Sequence, residues 1–412
     1  MKKNYLWIII IIVIIIIASF FIFKEKKEVV EEVEEIKLEF FQSKEEVVDL
    51  FDELIVKFEK EHPNIDIEQN NVPSAGVVLK ARLVKNDMPD ILAIGGDFAY
   101  GEIARAGVLV DFSNDPILEK IHKPYIEMID KIAKTETKNG IPYAANANTV
   151  LYNVKKFKEL GLDVPKTWDE FIATCEKIKA SGEIPLYLTF KDTWTIMVPF
   201  NSIIANLQGD DFIEKRLKDE TSFVERYGGI AEKLLVLLDY GHDDNFGRGY
   251  DDGNTSFANG KSFMLIQGIW AISSVKRANP DIEIGVFTLP VRDKYEENRL
   301  VSGVDTVLAI SNSTKYSEAA KEFVQFLIKE ENIQYYINQE RLYSCVKGVY
   351  QEDPDLIGIK EHFETGRITS FPDHYYPPGM GVSNLAQEFL LKKDVNEFLK
   401  TLDSEWDKVV SR

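Results

Sequence analysis

The chain has 412 residues, 45% of them apolar and 11% aromatic, which is ample for a globular fold and long enough for two or more domains. Lysine and arginine number 49 against 68 acidic residues, a net charge of −19, which argues against nucleic acid or a long polyphosphate as the main partner. Two cysteines, Cys175 and Cys345, form one disulfide or none and argue against a cysteine-built metal site.

At the N-terminus, Lys2 and Lys3 precede an isoleucine-rich apolar run from Leu6 to Phe23, just long enough to cross a bilayer. No small-x-small cleavage site follows it and no cysteine lies near it, so residues 1–23 are expected to stay as an uncleaved signal anchor. Residues 24–36 read as a charged stalk. Alternation over Ile36–Phe41 predicts a first strand. Val47, Leu50, Phe51, Leu54, Ile55 and Phe58 predict a helix over 45–60, which His62-Pro63 ends before a second strand at Ile65–Ile67. Strand, helix, strand implies a βαβ opening and a parallel sheet.

A helix near 77–84 precedes Pro89-Asp90-Ile91, a buried strand to Ile94, a Gly95-Gly96 stop, and Asp97 at a helix N-cap position. Asp97 is either a cap alone or a cap that also accepts hydrogens from a ligand. Asn139-Gly140 predicts a hairpin turn, continued by Asn146 and Asn148 into Leu151-Tyr152-Asn153. Thr167 caps the next helix with Glu170 at the capping-box position, and Trp168 reads as packing. A strand over 184–188 leads to a loop carrying Trp194, and residues 242–254 read as a polar loop without the spacing of a calcium site.

The next stretch, Phe257 to Trp270, reads as a helix end, a Gly260 stop, a strand over 262–266, bare backbone at Gly268, and then Trp270. Trp270 is either a core residue under a loop or an aromatic face at the rim of a cleft. Strands follow over 282–290 and 303–310, then an amphipathic helix over 314–331. The tail Ser370–Met380 is rich in aromatics and prolines, too rigid and apolar for a casual surface loop, which makes Tyr375 or Tyr376 a candidate cleft residue.

Several sequence features resemble the bacterial extracellular solute-binding proteins, family 1, the sugar-binding components of ABC importers. They are Asn259-Gly260-Lys261 with its strand, glycine and tryptophan; Gly107-x-Leu109-x-Asp111-Phe112; Gly140-Ile141-Pro142-Tyr143; and Val164-Pro165-Lys166-Thr167-Trp168. The resemblance implies an α/β, two-lobed fold with a hinge and an interlobe cleft. One lobe takes 37–148 plus 303–345 and the other 149–302 plus 346–412. It implies that Trp270 and Trp194 stack on sugar rings, that Asp97, Asn148 and Asp305 bond hydroxyls, and that Gly303 faces the ligand, with Tyr375 and Tyr376 as further candidates.

It further implies a carbohydrate ligand, an ABC permease as partner, and a single-pass anchor holding an extracellular (or periplasmic) domain. No cofactor, metal or nucleic acid is expected, and a monomer is.

Phosphate-loop and dinucleotide look-alikes at 258–262 and 247–253 lack required glycines, and the first runs into a strand where a helix should begin. A binding protein or sensor for another polar solute is the alternative reading, and a glycoside hydrolase the remote one. No enzyme activity is expected.

Overall fold

A computed structural model describes residues 13–14, 35–72, 75–377 and 379–411. The expected anchor and stalk lie outside the described residues, apart from Val13, Ile14, Glu35 and Ile36. Among the described residues no helix is long and apolar enough to cross a membrane.

The architecture is α/β, built on a mixed, curled sheet. β1 (Ile36–Gln42) pairs in parallel with both β2 (Ile65–Asn71) and β3 (Ile91–Ile94), as the βαβ opening requires. β4 (Ile141–Asn153) is 13 residues long and almost wholly buried, and its two halves have different neighbours. β5 (Met264–Gly268) and β6 (Ile284–Phe287) flank its second half; β7 (Leu300–Ile310) runs antiparallel to its first half and continues onto β3. Two short strands, β8 (Tyr343–Ser344) on β4 and β9 (Ile368–Thr369) on β7, complete the sheet. β4 and β7 thus carry the chain between the two ends of the sheet. Both are buried along almost their whole length, although Asn146, Asn148, Ser302 and Asp305 interrupt their apolar sequence.

Two hydrophobic clusters account for most of the buried side chains. One surrounds β1, β3 and the helices Val48–Glu61 and Ser317–Leu327, where Phe40 meets Phe51 and Phe58 meets Phe323 edge to face, each at 5.0 Å. The other joins the helices Trp168–Ala180, Trp194–Leu207, Gly228–Leu238 and Val395–Val410 around Phe171, Tyr227 and Trp406. Trp168 belongs to this second core, with the Lys233 ammonium 3.9 Å from its ring centre. Cys175 and Cys345 fall in different clusters, both buried and unpaired, so the structure contains no disulfide between them.

Five local expectations are corrected. Asn139-Gly140 makes no hairpin turn. A Cβ on Gly140 would stand 2.4 Å from Val307 Cγ1, so this glycine lets β4 approach β7 and Tyr100. Residues 184–188 make only a single bridge, Leu186 to Met264, and Pro185 has no N–H with which to extend a ladder. The segment read as a loop over 242–254 becomes a helix at Tyr250. The helix expected over 314–331 breaks at Lys329, whose backbone is extended (ψ 139°), and restarts at Glu330. The Asn332 amide bridges that break by donating to the Phe326 carbonyl at 2.7 Å. The strand expected over 262–266 lies at 264–268, because Ser262 turns its hydroxyl onto the Met264 carbonyl.

Candidate functional site

β5 ends at Gly268, and Trp270 follows as the N-cap of the helix Ala271–Ala278. Its indole folds back over Gly268, and a Cβ there would lie 1.9 Å from Trp270 Cζ3. Half-buried, Trp270 packs against both hydrophobic clusters and lines two adjoining cavities.

The first cavity, about 450 Å³, is mainly apolar and carries five Phe, Tyr and Trp side chains. Its walls include Phe98 from the β3 end and Trp194, Asn148, Phe371 and Tyr376 from the β5 end. The second, about 600 Å³, is polar, with Lys44, Asn146, Asp305 and Glu340 facing Ser274 and Arg277. Trp270 is therefore the residue the two cavities share.

Trp194 is the first residue of the helix Trp194–Leu207, not a loop residue, and remains 45% exposed while packing against Tyr250 at 5.1 Å. The helix sends Val198 and Asn201 into the same cavity, in keeping with the 3.6-residue turn. Asn148 is fully buried; its amide nitrogen donates to the Val198 carbonyl at 3.0 Å, and its Oδ1 has no partner.

The turn Pro372–Tyr375 is a 3-10 helix, in which residues three apart share a face. Phe371 and His374 accordingly stack at 5.0 Å, and Asp373 and Tyr376 line the aromatic cavity. Tyr375 goes with Pro372 to a separate cavity of about 610 Å³ on the other side of the turn, so the structure leaves Tyr375 outside the cleft. The Tyr376 hydroxyl is engaged by that of Tyr227 at 2.6 Å, which in turn donates to Gln208 Oε1 at 2.6 Å.

Asp97 caps the helix Phe98–Arg105 through Oδ1, accepting from Ala99 N at 2.9 Å and Tyr100 N at 3.4 Å. Its neighbour Phe98 reaches the cavity wall; Asp97 is not on it. Gly303 lies under Phe371, since a Cβ there would meet that ring at 2.6 Å. It makes room for a wall residue and does not itself face the cleft. Asp305 lines the polar compartment and accepts from Lys44 Nζ, from Asn146 Nδ2 at 3.0 Å and from Thr306 Oγ1 at 3.1 Å.

Sequence reasoning missed Asp373. Burial raises its carboxyl above the usual carboxylate range, opposed by the neighbouring His374 and Asn201, and its Oδ1 has no partner. The available signal was a lone carboxylate inside a proline-rich aromatic run. Among the described residues no group of three or more His, Cys, Asp or Glu side chains is placed to hold a metal ion.

Comparison with known proteins places this geometry in context. The sequence pattern of bacterial extracellular solute-binding proteins matches residues 43–334. A multiple sugar-binding protein from Streptococcus mutans is 30% identical over 328 residues, 77% of each chain. The apo structure of RafE from Streptococcus pneumoniae superposes with a TM-score of 0.81 at 28% identity, covering 91% of this chain and 98% of that one. RafE in complex with raffinose gives 0.79 at 27%, over 91% and 100%.

Proposed function

The chain belongs to the bacterial extracellular solute-binding protein family, and on that premise we propose that it captures a sugar or short oligosaccharide outside the membrane for an ABC importer. The observation that carries this reading is Trp270 standing between two compartments, with Trp194, Phe371 and Tyr376 offering ring faces nearby. Sugar rings carry apolar C–H patches that pack on such faces and hydroxyls that need acceptors. Asn148, Asp373 and Asp305 supply the acceptors. A relative named for sugar binding and a fold neighbour solved with raffinose support the same substrate class.

In this reading the lobes are 37–148 plus 303–345 and 149–302 plus 346–412, hinged at β4 and β7. Ligand bridges them, and the permease recognises the closed form. Residues 1–23 tether the protein as a single-pass anchor, and it works as a monomer without catalysis. The test is a thermal-shift screen of the full-length chain in detergent against sugars, amino acids and inorganic anions. Stabilisation that grows with sugar concentration supports the reading. A response confined to amino acids or anions overturns it.

Asp373 gives a prediction of opposite signs for binding and stability. Its folded-state pKa is raised, so its contribution to stability is fully present below the unfolded pKa and is lost as pH rises through the folded one. Asp373→Asn removes the buried charge. The unliganded variant is therefore expected to melt higher than wild type at pH 7.5, with the gap shrinking on acidification. Its sugar affinity is expected to fall about tenfold, because a charge-assisted acceptor becomes a neutral one. Calorimetric titration and melting curves at pH 7.5 and 5 check both signs.

A further inference from the structure

The helix Ala75–Val84 is apolar on two opposite sides. Inward, Ala75 and Leu79 are buried in the core around β1, and Val78 packs against it. Outward, Val77, Ala81 and Val84 succeed one another at spacings of four and three, which sets them on one stripe. Val77 is 72% exposed and Val84 84%, the highest value among the large apolar side chains described. Lys80 and Lys85 are exposed on the two flanks of that stripe, and the Lys85 N–H still continues the helix by bonding the Ala81 carbonyl at 3.3 Å. A helix apolar all round is one that is covered all round, and among the described residues this stripe is left bare.

Charge and chain path single out one cover. From Val72 to Asn86 the sequence carries Lys80, Arg82 and Lys85 and no acidic residue, in a chain of net charge −19. The residues that precede β1, Glu28-Val29-Val30-Glu31-Glu32-Val33-Glu34-Glu35, are valine and glutamate alone. They join the fold next to this helix, because Arg82 Nη2 donates to Oε2 of Glu39, the fourth residue of β1, at 2.7 Å. Val30 stands six residues before Ile36, a reach of roughly 20 Å in extended chain against a helix diameter of about 10 Å. An anionic lipid surface would attract the two lysines but repel the acidic chain around them.

We propose that residues 28–35 dock on the outward side of the helix Ala75–Val84. Val29, Val30 and Val33 cover Val77, Ala81 and Val84, and the glutamates stand opposite Lys80 and Lys85. Exposed ion pairs contribute little each, so the apolar contact holds the segment and the charges select it. Both partners belong to one chain, so a contact too weak to join separate molecules is sufficient. The dock fixes the folded part against its stalk and so sets its orientation toward the apolar run Leu6–Phe23. It is independent of what the cleft binds.

The experiment is disulfide trapping in the full-length chain in detergent, with Val30→Cys and Val84→Cys combined and copper phenanthroline as oxidant. Cys175 and Cys345 are buried and stay out of the reaction. Val30→Cys with Val410→Cys is the control, since Val410 is on the last helix, which packs in the other hydrophobic cluster. The Val84 pair is expected to close within one chain about tenfold faster than the control. Hydrogen exchange without any added cysteine is the second measurement. Changing Val29, Val30 and Val33 together to Asp is expected to speed exchange of the amides of residues 79–85 about tenfold and to leave the other helices unchanged. Trapping no faster than in the control, or exchange that the three aspartates do not alter, overturns the proposal. Disulfides that form between chains give the stripe to a second copy instead. Protection of residues 79–85 that arises only with phosphatidylglycerol vesicles, and survives the three aspartates, gives it to lipid; either result also removes the stalk as the cover.

Discussion

Trp270→Ala is expected to weaken sugar binding by about 2–4 kcal/mol, roughly 30- to 1,000-fold in Kd, the largest loss of any single truncation in the cleft. The magnitude follows from position. A tryptophan at the centre of an interface offers a large apolar area on a rigid frame, and truncation to alanine removes all of it at once. Trp270 lines both compartments, so its truncation strips ring area from each.

The same side chain also packs against both hydrophobic clusters, so its removal lowers stability as well. The measurement therefore pairs calorimetric titration with a melting curve and far-UV circular dichroism of the unliganded variant. A folded variant with a 30-fold or greater loss supports the anchor role. A folded variant that binds within about threefold of wild type returns Trp270 to a purely structural part. Trp270→Phe keeps an aromatic face of smaller area and is expected to recover part of the loss.

The sequence made the local features legible and left the longer-range ones hidden. Asp97 was readable as a cap because capping depends on a side chain and the two or three residues after it. Gly260 was readable as a helix stop, and it has the left-handed backbone (φ +74°) that favours glycine there. Gly140 deceived for the opposite reason: Asn-Gly usually marks a turn, yet here the glycine accommodates Val307 from a strand more than 160 residues away. Tyr375 and Tyr376 were indistinguishable in a string of aromatics. The three-residue period of one short 3-10 turn separates them, sending one to each side. Asn146 and Asp305 are brought together only by the antiparallel register of β4 and β7, which no local window contains.

Gly268→Ala provides an independent way to perturb the same anchor, through the backbone beneath it. The new Cβ would stand 1.9, 2.1 and 2.2 Å from Trp270 Cζ3, Cε3 and Cη2, far inside van der Waals contact, so the indole must leave its place between the compartments. Gly268 does not occupy the left-handed region. Alanine therefore fits the strand backbone, and the conflict is with the ring alone. The variant is expected to fold, with a melting temperature lowered about as much as in Trp270→Ala because the same packing is lost, and to lose sugar affinity nearly as much, on the order of 100-fold.

The double variant Gly268→Ala/Trp270→Ala decides between a shared cause and two separate ones. If the alanine methyl acts only by expelling the ring, it does nothing once the ring is gone. The double variant then binds no worse than Trp270→Ala, and the two losses fail to add by nearly the whole effect of Gly268→Ala. Additive losses would mean that Gly268 contributes its own contact, with the ligand lying against its backbone. Wild-type affinity in Gly268→Ala would mean that the indole is free to move without penalty, which a rigid stacking platform is not.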